Sequence, residues 1–204
     1  MCLLGYFGGS PDFDPGAGTA IVTGAGDYDC FFAKYDASGN YIWAKGIGGT
    51  GRDFGHDLAL DANNNFYITG QFRNTVDFDP GAGTVFLTST GFSDIFIAKY
   101  NPSGNYLWST AIGGLEYDEG ACISVSSAGK ISVGGEFEDF VDFDFGVNKT
   151  AISPQGDIFI MQYSAAFAFE WANHLVPFQS PGHSSCMAIT KDASGNIYAT
   201  GNFS

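Results

Sequence analysis

The sequence predicts an all-β fold, a β-propeller segment built from four-stranded antiparallel blades that forms an incomplete ring in one chain. Three observations predict it: a repeat of about 65 residues, apolar residues that alternate or form short runs, and a composition rich in glycine and aromatic residues. The chain has 29 glycines among 204 residues, and aromatic residues make up 16% of it. Glycines between short apolar segments are typical of strands joined by tight turns.

The repeat is visible in a loop sequence. The segment DFDPGAG, from Asp12 to Gly18, returns unchanged from Asp77 to Gly83, and a shortened copy, DFDFG, begins at Asp142. A second segment, FFAKYDASGNYIW ending at Trp43, returns at the same spacing in a copy that ends at Trp108. The chain is therefore one propeller segment whose repeats cover approximately residues 5–69, 70–134 and 135–200, followed by a terminal strand at 201–204.

Each repeat contains four predicted strands. In the second blade they lie at Asp57–Asp61, Phe66–Phe72, Asp94–Tyr100 and Tyr106–Ile112. Only the connection between the second and third strands is long, and it contains DFDPGAG. In chain order the sequence supplies strands two to four of one blade, two whole blades, and strands one and two of another.

Such a segment is not expected to close a ring alone, because propellers have four to eight blades. We therefore expect its partners to be other blades of a longer parent chain, or a second copy of this chain that completes a six-bladed ring.

The repeats resemble a known family. Their motifs, F-x-A-K-Y-x-x-x-G-N-Y-x-W, G-G-x-x-x-D-x-G and G-N-x-Y-x-T-G-x-F, are similar to the bacterial SBBP repeats of large secreted or cell-surface proteins. The third copy departs from the pattern, since Pro80 becomes Phe145 and Lys99 becomes Gln162. The resemblance implies a propeller, an extracellular or bacterial cell-surface location, and a structural or binding role without catalysis. It names no ligand.

The acidic pairs of the repeated loop are candidate metal ligands. They are Asp12 and Asp14, Asp77 and Asp79, and Asp142 and Asp144. Carboxylates two residues apart in an extended loop can face one side, and Ca²⁺ takes several oxygen ligands. The alternative is structural: aspartate caps a turn, proline fixes its backbone, and Phe13, Phe78 or Phe143 plugs the space between blades.

A second acidic set precedes each third strand and consists of Asp29, Asp94 and Asp157. These residues can add ligands to the same Ca²⁺ if the long loop folds back. They can instead cap that loop by accepting hydrogen bonds from backbone N–H groups, which is the favoured interpretation. Asp53 and Asp118 recur only twice and are predicted to form turns.

Aromatic residues stand two apart on each fourth strand. Trp43, Trp108 and Trp171 are candidate ligand-binding residues, because a flat ring stacks on the apolar face of a sugar. The alternative is packing between neighbouring blades. A carbohydrate-binding, lectin-like propeller that holds a cell-surface glycan is therefore the second functional hypothesis, and a glycan-active hydrolase is the third.

Composition and the lack of catalytic motifs argue against several classes of function. The 22 acidic and 8 basic residues argue against nucleic acid as a partner, because phosphate binding needs clustered Lys and Arg. No apolar run approaches the ~18 residues that span a bilayer. The histidines fall at unrelated repeat positions, and no HExxH, GxSxG or P-loop motif is present, so no catalytic residue is predicted. The four cysteines are expected to be packing residues, with a Cys122–Cys186 pairing left open.

Overall fold

The computed structural model describes residues 1–144, 151–152, 157–175, 185–192 and 194–202. These residues form strands, turns and bends, so the predicted all-β class is confirmed. In this part of the chain no helix is long and apolar enough to cross a membrane. The strands in chain order are β1 (Cys2–Phe7), β2 (Asp29–Tyr35), β3 (Tyr41–Gly49), β4 (Phe54–Leu60), β5 (Phe66–Phe72), β6 (Thr75–Asp77), β7 (Phe86–Thr88), β8 (Asp94–Tyr100), β9 (Tyr106–Ile112), β10 (Asp118–Val125), β11 (Ile131–Phe137), β12 (Val141–Asp142), β13 (Ala151–Ile152), β14 (Asp157–Tyr163), β15 (Phe169–Leu175), β16 (Ser185–Lys191) and β17 (Ile197–Asn202).

The sheets follow the repeat. Two complete blades have the orders β4-β5-β8-β9 and β10-β11-β14-β15, preceded by β1-β2-β3 and followed by β16-β17, with antiparallel pairing between neighbours. The chain is thus an incomplete propeller of four-stranded blades. The first strands of successive blades, β4, β10 and β16, contact one another.

The predicted strands of the second blade are confirmed at β5, β8 and β9. The first was predicted three residues late, because β4 begins at Phe54 and ends at Leu60. Its register shifts between Gly55 and Asp57, and the same bulge recurs in β10 and β16. The extra residue interrupts the period of two from which the strand was predicted.

The long connection within a repeat contains a small hairpin that the sequence did not predict. In the second blade β6 and β7 form this hairpin, and β6 pairs with the last strand of the preceding blade, Gly48 with Asp77 and Gly49 with Val76. The hairpin therefore extends the sheet of one blade with strands that belong to the next repeat.

The phenylalanine of the repeated DFD motif enters the core. The ring centroid of Phe78, which is fully buried, lies 5.4 Å from that of Phe72 on β5 and 5.3 Å from that of Phe96 on β8. The Phe78 carbonyl oxygen accepts a hydrogen bond from the Tyr100 hydroxyl at 2.8 Å. Phe72, Phe96 and Tyr100 all belong to the second blade. Phe78 therefore packs the long connection against the blade of its own repeat.

The arrangement occurs three times. Tyr35 donates to the Phe13 carbonyl at 2.9 Å, and Tyr163 donates to the Phe143 carbonyl at 2.8 Å. In the first and third copies too, the DFD ring contacts a ring on the second strand and a ring on the third. The tyrosine that ends each third strand and the phenylalanine of the loop are thus one structural unit.

Replacing Tyr100 with phenylalanine is expected to lower the free energy of unfolding by about 1–2 kcal/mol, because the buried Phe78 carbonyl loses its donor. Tyr35→Phe is the matched control: its acceptor Phe13 is only partly buried, so water can replace the hydroxyl and the loss should be smaller. Urea unfolding of both variants measures the difference. Equal losses would contradict the assigned role of burial.

Candidate functional site

The first aspartate of each acidic pair closes its own loop. Asp77 Oδ1 accepts hydrogen bonds from the backbone N–H groups of Asp79 at 3.0 Å and Val85 at 2.8 Å. Asp12 Oδ1 accepts from Asp14 at 3.0 Å and from Ala20 at 2.8 Å, and the Ala20 bond is the main cause that lowers the pKa of Asp12. In the third copy Asp142 Oδ1 accepts from the Asp144 N–H at 3.1 Å.

The second aspartate of the pair makes a turn of its own. Asp14 Oδ1 accepts from the Gly16 N–H and Asp79 Oδ1 from the Gly81 N–H, both at 2.8 Å. An aspartate bonded to the backbone two residues on is an Asx-turn. The contacts seen for the loop pairs are therefore those of the structural alternative.

The second acidic set caps the end of the same connection. Asp29 Oδ2 accepts from the N–H groups of Ala25 at 2.7 Å and Gly26 at 3.3 Å, and Asp94 accepts from the Thr90 N–H at 3.1 and 3.0 Å. Both carboxyls are buried, and burial is the main cause that raises their pKa. Asp157 begins β14, but its side chain lies outside the described residues.

Three of the predicted metal ligands line one cavity. Asp29 of the first repeat lines a space of about 210 Å³ that Asp77 and Asp79 of the second repeat also line, together with Phe7, Pro80 and residues 46–48. Asp29 Oδ1 is buried and has no hydrogen-bond partner within the described structure. The acidic residues that line this cavity come from successive repeats, and neither Asp12 nor Asp14 is among them.

The geometry at this cavity is not a finished metal site. Across the described ranges, no three acidic, His or Cys side chains are arranged to hold a metal ion. Oδ1 of Asp77 already accepts two backbone N–H groups, which leaves Oδ2 for any ligand. The cavity supplies carboxylate oxygens of the type that Ca²⁺ binds, but they would have to move closer together to form a coordination shell.

A pair of buried aspartates recurs at two blade junctions, and at the second junction it consists of Asp94 and Asp118. The sequence did not indicate that these residues are buried. Asp118 Oδ2 accepts from the Gly114 N–H at 2.6 Å and its Oδ1 from the Glu138 N–H at 3.3 Å. Burial is the main cause that raises the pKa of Asp118 to about 7, and the nearby Asp94 charge adds to it. The bond to Gly114 closes the connection before β10, as a turn-forming residue would, whereas the bond to Glu138 reaches the residue after β11 and was not predicted.

The equivalent pair at the preceding junction is Asp53 with Asp29. Asp53 accepts from the N–H groups of Gly49 at 2.9 Å and Arg73 at 3.1 Å, which lie on either side of the blade junction. Burial raises the pKa of Asp53 to about 6, and the negative charge of Asp29 contributes.

Two of the predicted ligand-binding tryptophans lie in the packing between blades. The Trp43 ring centroid is 5.2 Å from that of Phe66 in the next blade, and the Trp108 centroid is 4.2 Å from that of Phe167 in the blade after. Trp171 lies opposite Gln162 on the neighbouring strand and is partly buried. The contacts of Trp43 and Trp108 are those of the packing alternative.

A larger polar cavity lies between the third blade and β16-β17. It has a volume of about 630 Å³ and is lined by hydroxyl, amide and charged groups, among them those of Ser126, Lys130, Gln162, Lys191 and Asp192. Lys191 Nζ donates to Gln162 Oε1 at 2.9 Å, and Gln162 Nε2 donates to Glu170 Oε2 at 2.6 Å. Burial, then the Lys130 charge, lowers the pKa of Lys191.

This polar cavity is lined by residues that depart from the repeat. Gln162 stands where the first two repeats have Lys34 and Lys99, and Ser132, whose hydroxyl donates to Gln162 at 3.3 Å, stands where the second has Tyr67. A neutral amide therefore replaces a lysine, and a small serine replaces a tyrosine, beside the cavity.

Comparison with known proteins agrees with a repeat protein. No family model matches the chain. A segment of 110 residues, 54% of the chain, is 26% identical to the regulatory protein FlaEY of Caulobacter vibrioides and covers 12% of that protein. An alignment of 106 residues, which takes in 48% of the chain, is 30% identical to an uncharacterized WD repeat-containing protein of Acanthamoeba polyphaga mimivirus and covers 8% of it. The chain thus matches only a small part of each relative.

The buried aspartates predict a stability that falls as the pH rises. A carboxyl whose pKa is raised in the folded state binds its proton more tightly there than in the unfolded chain. The stability that such a carboxyl adds to the fold is therefore complete below about pH 4, the range of its ordinary pKa. That stability is lost as the pH rises past about 6 for Asp53 and about 7 for Asp118. Between pH 5 and 8 we expect the free energy of unfolding to fall by at least about 2 kcal/mol.

Asp118→Asn should flatten this dependence in urea unfolding measured at several pH values. Asp192→Asn is the control, because hydrogen bonds from Asn196 lower the pKa of Asp192, so its contribution is lost only below about pH 4. A stability that rises between pH 5 and 8 in the parent protein would contradict the assignment.

Proposed function

We propose that the chain is a non-catalytic structural or binding module of a larger propeller protein that is secreted or displayed on a bacterial cell surface. One observation carries the proposal: the residues that recur in the repeats form contacts within and between blades. Asp77 closes its loop, Phe78 enters the core, Tyr100 bonds to Phe78, and Trp108 packs against the next blade. The recurrent residues therefore stabilise the fold, and any specificity for a binding partner comes from residues that do not recur.

The proposed location rests on the resemblance to SBBP repeats of secreted and cell-surface proteins. The formal net charge of −14 is compatible with a solvent-exposed surface that repels like-charged polymers. The partner that we propose is other blades, from the parent chain or a second copy. Within the described residues β1 pairs only with β2 and β17 only with β16, so each has an open edge on which a further strand can pair.

A carbohydrate-binding propeller is the second candidate. The polar cavity beside Gln162 favours it, because hydroxyl, amide and charged groups lining about 630 Å³ suit the hydroxyl groups of a sugar. In this form of the hypothesis the sugar binds beside Lys191 and Gln162. The hypothesis that a sugar stacks on the Trp108 ring, as expected from the sequence, requires that ring to leave its contact with Phe167.

A glycan array together with a hydrolysis assay on the same glycans tests the proposal. We expect no turnover, because the buried carboxyls bond to backbone groups. Any binding should fall at least tenfold in Lys191→Ala and be retained in Trp108→Ala if the polar cavity holds the sugar. Turnover that is lost in Asp118→Asn, while that variant keeps its near-ultraviolet circular dichroism spectrum, would establish an enzyme and overturn the proposal.

We propose in addition that Ca²⁺ binds in the acidic cavity and stabilises the junction of the first two blades. The support is that Asp29, whose buried Oδ1 has no hydrogen-bond partner within the described structure, lines the same cavity as Asp77 and Asp79. Removing this oxygen from water without a hydrogen bond is costly, and a cation would offset that cost. Binding to the folded state alone would raise the free energy of unfolding with the logarithm of the ratio of Ca²⁺ concentration to its dissociation constant.

Thermal unfolding with CaCl₂ and with MgCl₂ tests this site. We expect Ca²⁺ at one hundred times its dissociation constant to stabilise the parent by about 2.7 kcal/mol, and this gain to disappear in Asp77→Ala/Asp79→Ala. Asp12→Ala/Asp14→Ala is the matched control, because those residues do not line the cavity. No effect of Ca²⁺ on the parent protein would remove the cation from the proposal.

A further inference from the structure

Two cysteines from neighbouring blades face each other across a junction. Cys122 lies on β10 and Cys186 on β16, the first strands of successive blades. Their sulfur atoms are 3.3 Å apart, and both side chains are buried. Both are free thiols in this structure. An S–S bond is about 2.0 Å long, so closing the pair requires the sulfurs to approach by little more than 1 Å.

This junction has room for the two thiols because a small residue and a larger one have exchanged places across it, compared with the preceding junction. Cys186 precedes the bulge of its strand, where the two earlier blades have Gly55 and Gly120. A Cβ added to Gly120 would collide with the Thr69 hydroxyl of the preceding blade. Opposite Cys186 the preceding blade instead has glycine, Gly134.

Gly134 leaves the space that the two thiols occupy. A Cβ added to it would lie 2.6 Å from the sulfur of Cys186 and 3.0 Å from the sulfur of Cys122. At this junction the larger side chain has thus moved from the second strand of one blade to the first strand of the next. That exchange brings Cys186 to the sulfur of Cys122.

The thiols also differ in acidity. The two sulfurs lie within hydrogen-bond distance and either can be the donor, and this contact is the main cause that raises the pKa of Cys122 and lowers that of Cys186. Thiol–disulfide exchange proceeds through the thiolate, so Cys186 is the one expected to attack first.

We propose that Cys122 and Cys186 are a redox pair that forms a disulfide between the third blade and β16-β17 when a low-molecular-weight disulfide such as oxidised glutathione is present. The Cys186 thiolate attacks one sulfur of oxidised glutathione, giving a mixed disulfide and one glutathione thiolate, which takes up the proton lost by Cys186. The Cys122 thiolate then attacks the Cys186 sulfur and displaces the second glutathione, which takes up the proton of Cys122. The pair is oxidised by two electrons, and oxidised glutathione is reduced to two thiols.

Peptide mapping of the full chain tests the pair without any substitution. After incubation with oxidised glutathione we expect the number of thiols titrated in denaturant to fall from four to two, and one non-reduced cross-linked peptide to contain Cys122 and Cys186. The link closes a loop between residues 64 apart, so the oxidised protein should unfold about 5–10 °C higher than the reduced one, a gain that dithiothreitol reverses.

Two variants sharpen the result. Cys186→Ala should keep all three of its thiols under the same treatment, whereas Cys30→Ala should lose two of its three. The cross-link in the parent protein remains decisive if either variant fails to fold. Four titratable thiols in the treated parent protein, or a cross-link that involves Cys2 or Cys30, would overturn the proposal.

Discussion

The hydrogen bond from the last tyrosine of each third strand to the phenylalanine carbonyl of the preceding loop is the contact on which the blades depend. It is made by Tyr35, Tyr100 and Tyr163, and it holds a long connection against the two middle strands of its blade. With the loop fixed there, Phe78 fills the core and Asp77 reaches the backbone N–H of Val85. The same placement brings β6 to the edge of β3 and so joins one blade to the next.

Acidic side chains perform two different tasks in this frame. Those of the loop, such as Asp12, are exposed and accept hydrogen bonds that favour their charged form. Those of the junctions, such as Asp53 and Asp118, are buried, and the cost of removing their charge from water exceeds the gain from their backbone bonds. Residues of one type therefore act in opposite directions on the stability of the fold as the pH changes.

Much of the blade could be predicted because its strands follow a period of two and its repeat fixes their order. Strands β5, β8 and β9 have the predicted bounds, whereas β4 does not, since its bulge after Gly55 breaks the alternation. The hairpin of β6 and β7 has only three residues in each strand and pairs with another blade, so no local pattern reveals it.

The candidate site was harder to predict because it, too, depends on contacts between residues of different repeats. The sequence indicated Asp29, Asp77 and Asp79 as acidic residues, but only the folded connection places them around one cavity. The packing of Trp43 against Phe66 likewise depends on how two blades meet.

The pairing of β6 with β3 separates the repeat of the sequence from the unit of folding. The gene segment that encodes the second repeat carries two short strands, β6 and β7, and β6 has its partner in the repeat before it. A duplicated repeat thus arrives with the means to attach to its predecessor, and a deleted one removes the outer strands of its neighbour. Copying this repeat whole would carry along the strands that secure its boundary with the repeat before it, whereas in the third repeat β12 and β13 form a sheet of their own.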